Sequence, residues 1–418
     1  MSMKKMFFVS ALAVGLLSAC SNDDVAVAPS VPEGPVAETG LVPVELSMRS
    51  PMSIVTRGMG TVGGVGEGDA NNIWRGETLY FNMYMKETKS GTDTLGVSFW
   101  ENGIEGANDP IRVANFDNEP IAITTSMVGE NAIVQGVGPK YYPADASRHD
   151  FFAYRIDDAA VETAETSFGL CPVLNTEYDE EGDSLARKSV KFRIDGSQDL
   201  MVGRANSDAT ADCFSAKSAR EGVPTPVIDM RHLLTRFSFE VVAGDETADG
   251  LEVQEIAVVS RCSGRMLVVW HPSQAPASDL EKIIWDETVD TLVLRQRPVN
   301  EEGAPEYLQK LVPMDAVTLT WNDELDLAED TIPVGEALMV EPNKSAYEVR
   351  VRTKQILDGG GTNIYWSAGT IRFADEGNAM PGTSYKVLVK LYGLYGIELE
   401  TSLTSWYEGE DITVDTAE

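Results

Sequence analysis

Apolar and polar residues alternate along much of this chain with the period of strands rather than of helices. Val42, Val44, Leu46 and Met48 are separated by Pro43, Glu45 and Ser47, which predicts a strand with one buried face. Pro43 has no N–H to give a ladder, so this strand is expected at a sheet edge or with the proline at its own start. Further strands are predicted over Thr78–Met85, His149–Tyr154 and Val190–Ile194. Beyond residue 230 they are expected over Arg236–Val242, Leu251–Val259, Arg265–Trp270, Thr291–Arg295, Ala316–Trp321, Tyr347–Thr353, Ser384–Leu391 and Ile397–Leu403. One short helix is expected near Ser278. Ser278 and Glu281 have capping-box spacing, and Leu280, Ile283 and Ile284 share a face. Many short strands with few helices define an all-β chain built of antiparallel sandwiches. The small, polar, proline-marked stretch 206–226 reads as a connection, which divides the chain into domains at 41–215 and 216–418.

The first predicted strand has an unusual sequel. It is followed by Arg49 and Arg57 and then by GMGTVGGVGEG from Gly58 to Gly68. So glycine-rich a run is expected to be an exposed, flexible tether. Burying Val42, Val44, Leu46 and Met48 contributes about 6–12 kcal/mol gross, at about 1.5–3 kcal/mol each. That is comparable with the whole stability of a domain, about 5–15 kcal/mol. A buried strand on a cleavable tether reads as a strand made to be removed, leaving a groove that favours a replacement.

Ahead of it, Lys4 and Lys5 precede an apolar run from Met6 to Leu17 that is short for a membrane span. Leu17-Ser18-Ala19-Cys20 then reads as a bacterial lipobox. It places signal cleavage between Ala19 and Cys20 and lipid on Cys20. Residues 1–20 are therefore a signal segment, and 21–40, rich in Pro, Ala, Gly and Val, a spacer. Loss of the two leader lysines lowers the basic count from 33 to 31 against 66 acids, a net charge of −35. Such a charge repels nucleic acid and anionic lipid head groups. Cys171, Cys213 and Cys262 show no zinc-type spacing and read as buried thiols, with one disulfide still open.

Catalytic and cofactor patterns fail on context. Gly58-Met59-Gly60-Thr61-Val62-Gly63 matches G-x-G-x-x-G, but more glycine follows where the dinucleotide fold needs a helix. His149, His232 and His271 have no serine elbow and no metal-type neighbour, and His232 reads as a core or turn residue. Asp179 to Asp183 lacks the spacing of a calcium loop. The chain is accordingly read as a non-enzyme without metal or cofactor.

Several short motifs, in order, resemble the fimbrillin family, the lipoprotein pilins of the Bacteroidetes, including its Mfa-like members. They are Cys20 with Asp23-Asp24, Val55-Thr56-Arg57-Gly58, Tyr141-Tyr142-Pro143 before Phe151-Phe152-Ala153-Tyr154, Asp199-Leu200-Met201, Arg231 to Phe239, Tyr385-Lys386-Val387, and Trp406 with Gly409. The resemblance implies two tandem transthyretin-like β-sandwich domains and carriage to the outer membrane as a lipoprotein. It also implies cleavage after an arginine by an arginine-specific or trypsin-like protease, with Arg57 the first candidate and Arg49 the second. A strand donated by another pilus subunit then replaces the one released. Tyr407 to Glu418 is short and acidic for a donor strand, with Ile412 and Val414 its sole aliphatic pair, which favours a tip or accessory subunit facing a host or bacterial surface ligand. The rival reading is a surface glycan-binding lipoprotein with tandem sandwiches. It would present exposed aromatics from the pool Trp74, Trp100, Trp270, Trp285, Trp321, Trp366 and Trp406.

Overall fold

A computed structural model describes the chain from Val42 to Thr404, except residues 50–74, 90–91, 103–110, 125–126, 129–130, 134–139, 144–146, 206–213, 223–224, 304–305, 307–308, 323, 326, 329, 358–359, 374–376 and 395. The described residues fall in one compact unit, Val36–Glu418. They are overwhelmingly strand, as the alternation predicts.

The longest sheet runs Thr92–Val97, Arg75–Lys89, His149–Arg155, Met201–Ala205, Val227–His232, Ser47–Arg49, Asn131–Ile133, Met127–Val128, and Asp117–Thr124 pairs with Arg75–Lys89. Its central strands are apolar on both faces because they separate two hydrophobic clusters. In His149–Arg155 all seven residues are buried. Phe151 and Ala153 join Leu46, Met48, Leu79, Phe81, Met201 and Ile228 on one side. Phe152 and Tyr154 join Val190, Val202, Leu234, Phe237 and Tyr347 on the other. Alternate side chains of a strand point to opposite faces, so one strand feeds both cores.

Leu233 and Leu234 carry the chain from this sheet into Thr235–Ala243, which lies between Ile332–Val340 and Ser384–Tyr392, with Gly396–Thr404 outermost. Another sheet orders Val289–Val293, Glu252–Arg261, Ala346–Ile356 and Thr362–Arg372. Most pairings are antiparallel, but Ser47–Arg49 runs parallel to Val227–His232, and Thr235–Ala243 runs parallel to Ser384–Tyr392. Among the described residues no helix is long and apolar enough to cross a membrane.

The structure departs from several of these expectations. Of the two places expected for Pro43 the edge is not the one taken, since Ser47–Arg49 is paired on both sides. Pro43 stands ahead of the strand in an isolated bridge with Tyr141, so its missing N–H falls outside the ladder. The expected helix near Ser278 is only a 3-10 turn, Asp279–Lys282, with no cap bond from the Ser278 side chain. Glu281 Oε2 instead accepts the Ala277 N–H at 2.9 Å, and Ile283-Ile284 continue as a strand against Ser263–Trp270. Among the described residues the α-helix lies at Ala216–Arg220, where Ser215 and Ser218 form the capping box, within the stretch read as a connection. Ala316–Trp321 yields only the short pieces Val317–Thr318 and Trp321–Asn322. Cys171 and Cys262 are free and buried.

Candidate functional site

The seat of the first strand is built in two halves. Val42 and Val44 are half-buried and touch the smaller hydrophobic cluster from its margin. They are held by two backbone bonds: Val44 N–H donates to the Lys140 carbonyl at 2.8 Å, and Tyr142 N–H donates to the Val42 carbonyl at 2.9 Å. A cavity of about 220 Å³ opens beside Val42, bounded by Pro43, Glu45, Tyr142, Phe214 and Pro226. Burial first, and the Glu45 carboxylate second, push the Tyr142 phenol up.

The second half is enclosed. Ser47 N–H donates to the Pro226 carbonyl at 3.0 Å. Met48 stands opposite Ile228 on one side and Ala132 on the other. Leu46 is 3% exposed and Met48 fully buried. The alternation read from sequence thus places Leu46 and Met48 in the core and leaves Pro43 and Glu45 exposed. Arg49 ends the strand. Ala19, Cys20, Arg57 and the tail from Ser405 lie outside the described residues.

Two of the quoted motifs meet in a buried charged group that their separate positions in the sequence did not reveal. His232 Nδ1 lies 2.7 Å from Asp199 Oδ2, and Leu233 N–H donates to the Leu200 carbonyl at 2.9 Å. Arg155 pairs with Asp157 and reaches toward Asp199 at 3.8 Å. The Asp199 N–H donates to Asp157 Oδ2 at 2.7 Å. Burial, the largest cause, raises the Asp157 carboxyl to about 6, with Asp199 adding to the rise and Arg155 opposing it. Asp157 also has φ +44°, in the left-handed region. The only advance signal was a run of three polar residues, Ser197-Gln198-Asp199, before an apolar strand.

The other candidates are dispersed. His149 is buried, and His271 Nδ1 accepts the Ser273 N–H at 3.2 Å. Among the described residues no group of His, Cys, Asp and Glu could hold a metal ion. Of the tryptophans, Trp270 is buried, Trp285 and Trp321 are half-buried and Trp366 is exposed. Trp74, Trp406 and the Trp100 side chain are outside the described set.

No family model matches this chain, and no curated protein matches it. Among solved structures it is similar to a fimbrial protein from Bacteroides vulgatus, at 11% identity over 87% of this chain and 99% of that one, with a TM-score of 0.40. It is also similar to the fimbrial anchor protein Mfa2 from Porphyromonas gingivalis, at 9% identity over 86% and 98%, with a TM-score of 0.31. The C-terminally truncated tip fimbrial protein Mfa3 from the same organism matches at 10% identity over 87% and 100%, with a TM-score of 0.25.

Proposed function

We propose that this chain is a non-enzymatic subunit of a cell-surface pilus, of the tip or accessory kind, that contributes to adhesion. In this reading two tandem transthyretin-like sandwiches occupy 41–215 and 216–418. The precursor is held at the outer membrane by lipid on Cys20. An arginine-specific or trypsin-like protease cuts after Arg57, or after Arg49, and a strand from another subunit takes the place of Val42–Met48.

The observation that carries the reading is the seat of Ser47–Arg49. This three-residue strand is inserted between Val227–His232 and Asn131–Ile133, with Leu46 and Met48 buried among residues from five other strands. The sequence that joins it to the next strand at Arg75 holds both arginines' cut positions and the glycine run. A short strand so placed supplies core side chains and main-chain pairing together, which an added strand from a partner supplies in the same way.

The test is incorporation. Arg57→Ala, and the double change with Arg49→Ala, should leave the monomer's melting unchanged and lower the subunit's content in sheared pili by about tenfold or more. Wild-type incorporation of the double variant would overturn the cleavage step.

A further inference from the structure

The outer face of the sheet containing Ala346–Ile356 is made by the same alternation that makes its core. Tyr347, Val349, Val351 and Thr353 are buried, and Arg350, Arg352 and Lys354 face away between them. Across the ladders, Glu255 stands opposite Arg352, and Arg352 stands opposite Trp366. Directly opposed residues have Cβ atoms about 4.5–5.5 Å apart. A carboxylate, a guanidinium and an indole therefore form one row across three adjacent strands. Trp366 is 46% exposed, and its strand, Thr362–Arg372, is the outermost of the sheet. Ala368, next on the same face, is small and exposed and leaves the space beside the indole open.

This row differs from its neighbours. Lys354 Nζ pairs with Glu252 Oε2 at 2.9 Å, and Arg350 Nε donates to Glu348 Oε1 at 2.6 Å. Among the described residues neither Glu255 nor Arg352 enters an ion pair or side-chain hydrogen bond. Their acceptors and donors stay in water beside an exposed aromatic surface.

Charge decides what such a row suits. In a chain of net charge −33, this face is close to balance: Glu252, Glu255 and Glu348 stand against Arg350, Arg352, Lys354 and Arg372, a difference of one. A polyanion finds only one unmatched positive charge on it and is repelled by the rest of the molecule. A neutral polyhydroxyl ligand meets what it needs, a flat apolar surface for a ring's C–H face and both hydrogen-bond polarities at its edge.

We propose that Glu255, Arg352 and Trp366 form a binding site for a neutral hexose glycan at the rim of this sheet. The indole carries the pyranose ring, Arg352 N–H groups donate to hydroxyl oxygens, and the Glu255 carboxylate accepts from hydroxyl groups. The site goes beyond the assembly reading and holds whether or not the chain enters a pilus.

The test is affinity electrophoresis of the full chain through gels containing dextran, galactan or mannan, with polygalacturonate as the charged comparison. At least one neutral polymer should retard the wild type. Trp366→Ala should weaken that retardation about tenfold or more, as truncation of a central aromatic anchor does. Arg352→Ala and Glu255→Gln should each weaken it several-fold, and Tyr178→Ala, at another exposed aromatic, should leave it unchanged. All four variants should melt as the wild type does, since each changes a surface side chain. The proposal is overturned if no neutral polymer retards the protein, if Trp366→Ala binds as the wild type, or if only polygalacturonate retards it. Self-association that Trp366→Ala abolishes, with no glycan binding, would assign the face to a contact between copies and overturn it as well.

Discussion

Asp157 is the residue whose surroundings make the sharpest demand on protonation. It lies under Arg155, accepts the Asp199 N–H, and shares its enclosure with the Asp199 carboxylate, the Asp199-bonded His232 ring and the charge of Glu77. Its folded carboxyl, at about 6, lies above the ordinary 3.8. A raised acid favours the fold below its unfolded pKa and loses that contribution as pH rises through the folded value. Between about pH 4 and pH 6 the wild type should therefore lose most of the stability this group contributes, about 3 kcal/mol in all at most. Asp157→Asn mimics the protonated form, so its urea midpoint relative to wild type should rise as pH increases through 6. A difference that does not vary with pH would show that Asp157 is not held this way. The sequence offered Asp199 and His232 in separate motifs and gave no sign that they meet. Asp157, Asp199 and His232 lie far apart along the chain, and only the pairing of Met201–Ala205 with both His149–Arg155 and Val227–His232 brings them together.

At the scale of the element, the first strand is graded from a loose end to a tight one. Val42 borders a cavity and Val44 is half-buried, whereas Leu46 and Met48 have no exposure to speak of. Met48→Ala should cost about 2–5 kcal/mol, as large-to-small changes in a packed core do. Val42→Ala should cost about 1 kcal/mol or less, because part of its surface already faces water. Denaturant titration of the two variants measures the gradient, and equal costs would contradict it. Alternation was enough to read which side chains of this strand go inward, since period 2 is a property of the backbone. Its neighbours were not readable. They come from residues 131–133 and 227–229, and nothing local encodes so distant a pairing. The same limit explains the helix near Ser278: the capping spacing was present, but the β-branched pair Ile283-Ile284 was claimed by the Ser263–Trp270 strand.

For the whole molecule, the all-β class was legible because many strands announce themselves by alternation or by an apolar run, although Asp117–Thr124, Ile332–Val340 and Thr362–Arg372 were not read from the sequence. The apolar runs had a further meaning that only the fold shows: HDFFAYR is buried throughout, and its centre FFAY is apolar on both faces, because its sheet is packed on both sides. The tryptophan pool gave no order of preference until exposure and cross-strand neighbours selected Trp366. The central claim is that the strand seated at Val42–Arg49 leaves the assembled subunit. N-terminal sequencing of the subunit recovered from sheared pili tests it most directly. The account predicts a first residue of Gly58, after cleavage at Arg57, or of Ser50 if Arg49 is used. A lipid-blocked N-terminus at Cys20 on the assembled subunit would contradict it.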